Sequence, residues 1–257
     1  MPHDPITGHF SFLSNAHLPV GSGAMNQAPA PSTAIPFDVG SYTAAEAARL
    51  LGTSALNVRR WMLGYKHGSK GAFSPPLWTS QLAMIEDHLE IGFRDLIELR
   101  FVKAFTDAGV GLLAVRNCLA YARQYVQDDH PFSTQRFRTD GRTIFMESTA
   151  DSQEPKLIDL KKRQFVFQTV FERSFKDLDI EHDAVARWRP YKGKPSIVLD
   201  PVRAFGQPIA ATSGVPTIVL SDAVKAEGSV DRAARLYEVA PSVVRDAVNF
   251  EEGLRAA

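Results

Sequence analysis

Residues 42–63 read YTAAEAARLLGTSALNVRRWML, and the reading of this stretch decides the fold. Thr43 precedes Glu46 by three residues, the spacing of a capping box at a helix start. Ala44, Ala47, Ala48 and Leu51 then fall on one helical face. Gly52 follows as a stop, because glycine accepts the left-handed conformation of a tight helix end. Ser54 is placed to cap a second short helix, with Leu56 and Val58 expected to point inward. Asn57, Arg59 and Arg60 are then left as its polar groups. Two short helices joined by a tight turn form either an ordinary packed pair or a helix-turn-helix that lays its second helix in a major groove.

Charge favours the second alternative. The 257 residues carry 29 basic and 29 acidic side chains, so the molecule as a whole is no polycation. Between Val39 and Ile85, however, Arg49, Arg59, Arg60, Lys66 and Lys70 face Glu46 alone. Phosphate neutralisation needs such a local cluster. The following stretch, GYKHGSKGAFSPPLW (64–78), suits a loop or a two-stranded wing. Asn57 is a candidate for pairing with adenine, and Arg59 or Arg60 for guanine or phosphate. Thr43, Ser54, Tyr65, Lys66, His67 and Lys70 complete the candidate DNA contacts, the last three as phosphate contacts. Trp61 is assigned to the core.

Along the rest of the chain, residues 1–37 are rich in Pro, Ala, Ser, Gly and Asn, with Asp4 their only charge. They lack the basic start and apolar run of a signal peptide and are expected to be a disordered tail. FRDLIELRFVKAF (93–105) and residues 112–126 carry helical apolar stripes, expected to serve as core or subunit contact. Around Asp140-Gly141, residues 132–146 predict a β-hairpin. Residues 162–178 predict an amphipathic helix with Phe165, Val166, Thr169, Val170 and Phe175 inward. Residues 188–220 read as strands and turns, with apolar runs at Ile197–Leu199 and Thr217–Leu220. Three helices then follow. Ser229 caps the second, and Pro241 opens the third. The charges of this unit balance, which suits a protein-binding surface better than a DNA reader.

The expected architecture is α+β, mainly helical with small β elements. Residues 1–37 are the tail, and 38–128 a winged helix-turn-helix with dimer or core helices. Residues 129–189 form a hairpin-and-helix connector, and 190–257 a β-turn region plus a homeodomain-like three-helix module. Enzymatic readings do poorly. The seven histidines show no metal-ligand spacing, and no nucleophile elbow or glycine-rich dinucleotide loop is present. The expectation is therefore no catalytic residue, no metal and no cofactor. His182-Asp183 reads as a surface turn, and Cys118, the single cysteine, as a core residue. One cysteine excludes a disulfide framework, and no apolar run approaches the roughly 20 residues of a membrane span; a cytoplasmic location is expected.

Residues 42–61, the basic segment after them and FRDLIELRFVKAFTDAGVGLLAVRNCLAYA resemble a MerR-like winged helix-turn-helix, which implies a recognition helix at 54–61 and a wing within 64–78. Residues 197–251 resemble the module named domain of unknown function 433. The resemblance rests on Asp200-Pro201, Gly206-Gln207-Pro208, Ser213-Gly214-Val215-Pro216, Gly228-Ser229 and Val244-Arg245-Asp246-Ala247. Many members of that family have Gly-Thr-Arg where this chain has Thr212-Ser213-Gly214, so no role of that arginine carries over.

The two modules in this order are similar to a group of VapB-type antitoxins. The resemblance implies a type II toxin–antitoxin system, in which the chain neutralises a PIN-like ribonuclease toxin and represses its own operon on promoter DNA. It implies a homodimer or a hetero-oligomer with the toxin, without membrane association. Such a toxin holds Mg²⁺ among clustered carboxylates, and Arg232, Arg235 and Arg245 are the candidates for entering that site. The alternative reading is a MerR-like regulator that senses a small ligand or a protein partner and has no toxin. A third is a protein-interaction scaffold that never touches DNA.

Overall fold

The computed structural model describes residues 38–68, 71–150 and 167–256. Its architecture is mixed helix and strand. A short strand, β1 (Tyr42–Thr43), leads into α1 (Ala44–Leu51) through a complete capping box. The Glu46 amide donates to Thr43 Oγ1 at 3.2 Å, and the Thr43 amide donates to Glu46 Oε2 at 2.8 Å. Ala44, Ala47, Ala48 and Leu51 are buried, and Gly52 ends the helix at φ 65°. In α2 (Ala55–Leu63) the Ser54 hydroxyl accepts from the Asn57 amide at 3.1 Å. Val58, Trp61 and Met62 form its buried stripe.

Leu56 does not point inward. It is 57% exposed, because at about 100° per residue it lies on the side of the helix opposite Val58. An antiparallel hairpin follows, β2 (Tyr65–His67) against β3 (Ala72–Ser74). Gly64 is required at its base: it sits at φ 76°, and a Cβ there would lie 2.4 Å from the Ser74 carbonyl oxygen. Strand β4 (Glu90–Ile91) pairs with β1 and leads into α3 (Phe93–Asp107) and α4 (Leu112–Val126). The apolar stripes of α3 and α4 are core. Leu96, Ile97, Leu99, Phe101, Val102 and Phe105 are all buried within the chain, as are Val115, Cys118, Leu119 and Ala122.

The hairpin expected at 132–146 is absent. Pro131–Ser133 form a 3-10 turn, and Gln135–Ala150 form one continuous helix, α5. The Thr134 hydroxyl accepts from the Phe137 amide at 3.0 Å, an N-cap. Phe137, Ile144 and Phe145 are buried at helical spacing. Gly141 is no turn residue; a Cβ there would lie 2.3 Å from the Phe171 ring. It makes room for α6, helical over 167–175. Phe145 and Phe167 stack at 3.9 Å, and Phe101, Phe105, Phe132, Phe137, Phe171 and Phe175 extend the aromatic core. Phe165 and Val166 lie outside the described residues, as does the tail at 1–37. Leu178, expected in the helix, instead opens a strand.

That strand, β5 (Leu178–Glu181), is the edge of an antiparallel sheet ordered β5-β6-β7-β8, with β6 (Ala184–Trp188), β7 (Ile197–Leu199) and β8 (Pro208–Ala210). His182 and Asp183, both at positive φ, make the β5–β6 turn. The sheet runs across the boundary at 189/190 that the sequence suggests. Thr217–Leu220 is not a strand but the first turn of α7 (Thr217–Glu227). Pro216 precedes it, and Leu220 and Ala223 are buried three residues apart. Helices α8 (Val230–Leu236) and α9 (Pro241–Ala256) complete the chain. Ala223, Ala233, Ala234 and Ala247 let these three helices approach closely around Leu220 and Val244. Two bonds tie the start of the N-terminal part to the loop before β8. Tyr42 Oη donates to the Gly206 carbonyl at 2.7 Å, and the Ser41 amide donates to the Phe205 carbonyl at 3.1 Å.

Candidate nucleic-acid and partner surfaces

The outer face of α2 presents Leu56, Arg59, Arg60 and Leu63, which follow one another at i, i+3, i+4 and i+7. Arg59 and Arg60 are exposed, and the Arg60 guanidinium lies 5.5 Å from the centre of the Tyr65 ring. Tyr65 in turn packs against His67 at 5.6 Å. Among the described residues, Arg49, Arg59, Arg60 and Lys66 make no ion pair. Lys70 lies outside the described residues. The hydroxyls of Thr43 and Ser54 are committed to their caps. Asn57 is half-buried, and its side-chain amide donates to Thr53 Oγ1 at 3.3 Å. Arg60, Tyr65 and His67 are therefore brought together where α2 meets the hairpin, while Arg59 and Lys66 are exposed on the same two elements. Leu56 and Phe73, the latter 58% exposed, share that region and were not among the expected contacts. Strict helical periodicity was the signal that could have placed Leu56 outside.

The hairpin is held from behind. The Leu77 amide donates to the Trp61 carbonyl at 2.8 Å, and Arg116 donates to the Pro75 and Pro76 carbonyls at 2.9 and 3.0 Å. Below it, the fully buried Asp95 carboxylate accepts five bonds. Trp78 Nε1 and His130 Nε2 reach one oxygen at 2.7 and 2.8 Å; Ser80 Oγ and the amides of Gln81 and Gly92 reach the other at 2.9–3.1 Å. Ser133 is close to this pair, but its hydroxyl donates to the His130 carbonyl rather than to the ring. The group is buried and has no triad geometry. One turn along α3, Glu98 is also fully buried. Its Oε1 accepts from the Ser133 amide at 2.9 Å, and its Oε2 has no partner among the described residues. Burial holds the Glu98 carboxyl well above the usual carboxylate range.

The candidate partner arginines are all exposed. Arg232 and Arg235 lie three residues apart on α8, beside Leu236, which is 61% exposed. Arg232 donates to the Glu227 carbonyl at 3.4 Å. Arg245 stands on α9, a different helix from the other two. Its neighbour Asp246 is engaged by Lys194 and Ser196 at 2.8 and 2.7 Å.

A cleft of about 200 Å³ lies where α1 meets β8, α7 and α9. Glu46, Arg49 and Gln207 line it, and at its buried side Thr217 Oγ1 donates to Glu251 Oε1 at 2.5 Å. Trp188 is buried with its indole N–H on Asp177, Tyr191 packs on Phe250, and Phe205 is half-exposed. Among the described residues no group of three or more His, Cys, Asp or Glu side chains is placed to hold a metal ion. No described helix is long and apolar enough to cross a membrane.

No protein-family model matches the chain, so its likeness to the two modules named above rests on the quoted residues. It is 28% identical over 226 residues to the protein named "Putative antitoxin VapB45" of Mycobacterium tuberculosis (strain ATCC 25618 / H37Rv). That alignment covers 83% of this chain and 94% of the relative. The fold is similar to the crystal structure of Rv2018 from Mycobacterium tuberculosis, with a TM-score of 0.66 and 26% identity. The match covers 84% of this chain and 98% of that one.

Proposed function

We propose that this chain is the antitoxin of a type II toxin–antitoxin pair, which neutralises a PIN-like ribonuclease and represses its own operon by binding promoter DNA. The observation that carries the reading is the nearly end-to-end match to a protein named as a VapB antitoxin, 94% of whose length is covered. The N-terminal half then acts as a MerR-like winged helix-turn-helix, with α2 as recognition helix and the β2–β3 hairpin as wing. Repression brings two copies of α2 to half-sites about one helical turn apart. The alternative, a MerR-like regulator that senses a small ligand or a protein partner and has no toxin, draws on the cleft beside Glu251.

Neutralisation is assigned to α8 and α9, which offer exposed guanidinium groups to an acidic, metal-binding site. Inhibition of the ribonuclease by the purified full-length chain tests this. Replacing Arg232, Arg235 and Arg245 together by alanine is expected to raise the amount needed for half-inhibition about a hundred-fold, since a charge pair desolvated at an interface is worth several kcal/mol. Binding to promoter DNA is expected to remain unchanged. Undiminished inhibition by the triple variant would place the toxin contact elsewhere on the chain.

A further inference from the structure

An exposed leucine alone carries little information; what surrounds Leu56 gives it meaning. It stands in the first turn of α2, and its face continues through Arg59, Arg60 and Leu63, while Val58, Trp61 and Met62 bury the other side. Between Val39 and Ile85 the only acid is Glu46, and its Oε2 is taken by the Thr43 amide and hydroxyl. A face whose cations are left uncompensated fits a polyanion better than another protein. On a duplex, residues at the N-terminal end of a helix in the major groove reach the base edges, and the apolar group presented there is the C5-methyl of thymine. The polar side chains at that end are already engaged: Ser54 caps the helix and Asn57 bonds Thr53.

We infer that Leu56 reads a thymine methyl in each half-site of the operator, which makes it a specificity-determining residue flanked by the cationic contacts of Arg59 and Arg60. This inference rests on the promoter-binding reading above.

Duplexes from upstream of the chain's own gene, narrowed by footprinting to the protected bases, are remade with deoxyuridine at one thymine at a time. Each replacement removes only the methyl and keeps every base-pair hydrogen bond. The full-length chain is expected to lose about four-fold in affinity at one thymine per half-site, the worth of one buried methyl-sized group. At that position Leu56→Ala is expected to bind the thymine and deoxyuridine duplexes equally, whereas Leu63→Ala keeps the four-fold difference. Indifference of the wild-type chain to every replacement overturns the assignment while promoter binding stands. A Leu56→Ala variant that keeps the thymine dependence does the same. Failure to bind any upstream duplex overturns both readings.

Discussion

Replacement of Arg59 and Arg60 together by alanine is expected to weaken binding to promoter DNA roughly a hundred-fold, taking each cationic contact at a conservative 1.4 kcal/mol. Both side chains are exposed and neither is in an ion pair among the described residues, so the fold should tolerate their loss. Removing two phosphate or base contacts also has a signature that a folding defect does not share. The slope of log affinity against log salt should fall by about two. Arg60 additionally loses its packing over Tyr65, which makes it the more sensitive of the two to salt-independent effects. The measurement is promoter binding by fluorescence anisotropy over a series of salt concentrations. Unchanged affinity and slope would mean that these helices do not meet DNA, and the scaffold reading would replace this one.

The second large effect concerns stability. Asp95→Ala is expected to cost about 3–5 kcal/mol, because it leaves several of the five donors converging on that carboxylate buried and unpaired. In a domain of this size that corresponds to a fall in Tm of roughly 10 °C. The segment Trp78–Gln81 hangs on Asp95 just behind the hairpin, so promoter binding should weaken as well.

Glu98→Gln is expected to act in the opposite sense. Burial raises the Glu98 carboxyl above its ordinary value of 4.5, so the folded chain holds this proton more tightly than the unfolded chain. The contribution of this site is therefore complete below about pH 4.5 and is lost as pH rises toward the folded-state value. Glutamine cannot ionise. The variant should show a flatter stability–pH curve above 4.5 and match or exceed the wild type at neutral pH. Chemical denaturation across pH checks both variants, and a Glu98→Gln curve parallel to the wild type would contradict the assignment.

What was legible in the sequence was local. The Thr43–Glu46 box, the left-handed Gly52 and the Ser54 cap each depend on residues within one turn, and all three are present. Two of the differences come from contacts made far along the chain. Asp140-Gly141 has the composition of a tight turn, but Gly141 is needed where Phe171 crosses α5, thirty positions away in sequence. Thr217–Leu220 is as apolar as a strand, but Ile218 stays exposed while Leu220 packs with residues of α8 and α9 and Thr217 bonds Glu251 of α9. Leu56 differs for a local reason: it stands two residues before the buried Val58, and a helix puts residues at that separation on opposite sides. The network of Asp95, His130, Ser80 and Trp78 gathers residues from three segments, and no spacing announces it.

The antitoxin role is tested most directly by growth of a bacterial host that expresses any small open reading frame adjacent to this gene, with and without the full-length chain. Arrest by the neighbour alone and recovery when the chain is co-expressed are the expected results of an antitoxin. No arrest, or arrest that this chain leaves untouched, would contradict that role and leave a regulator without a toxin.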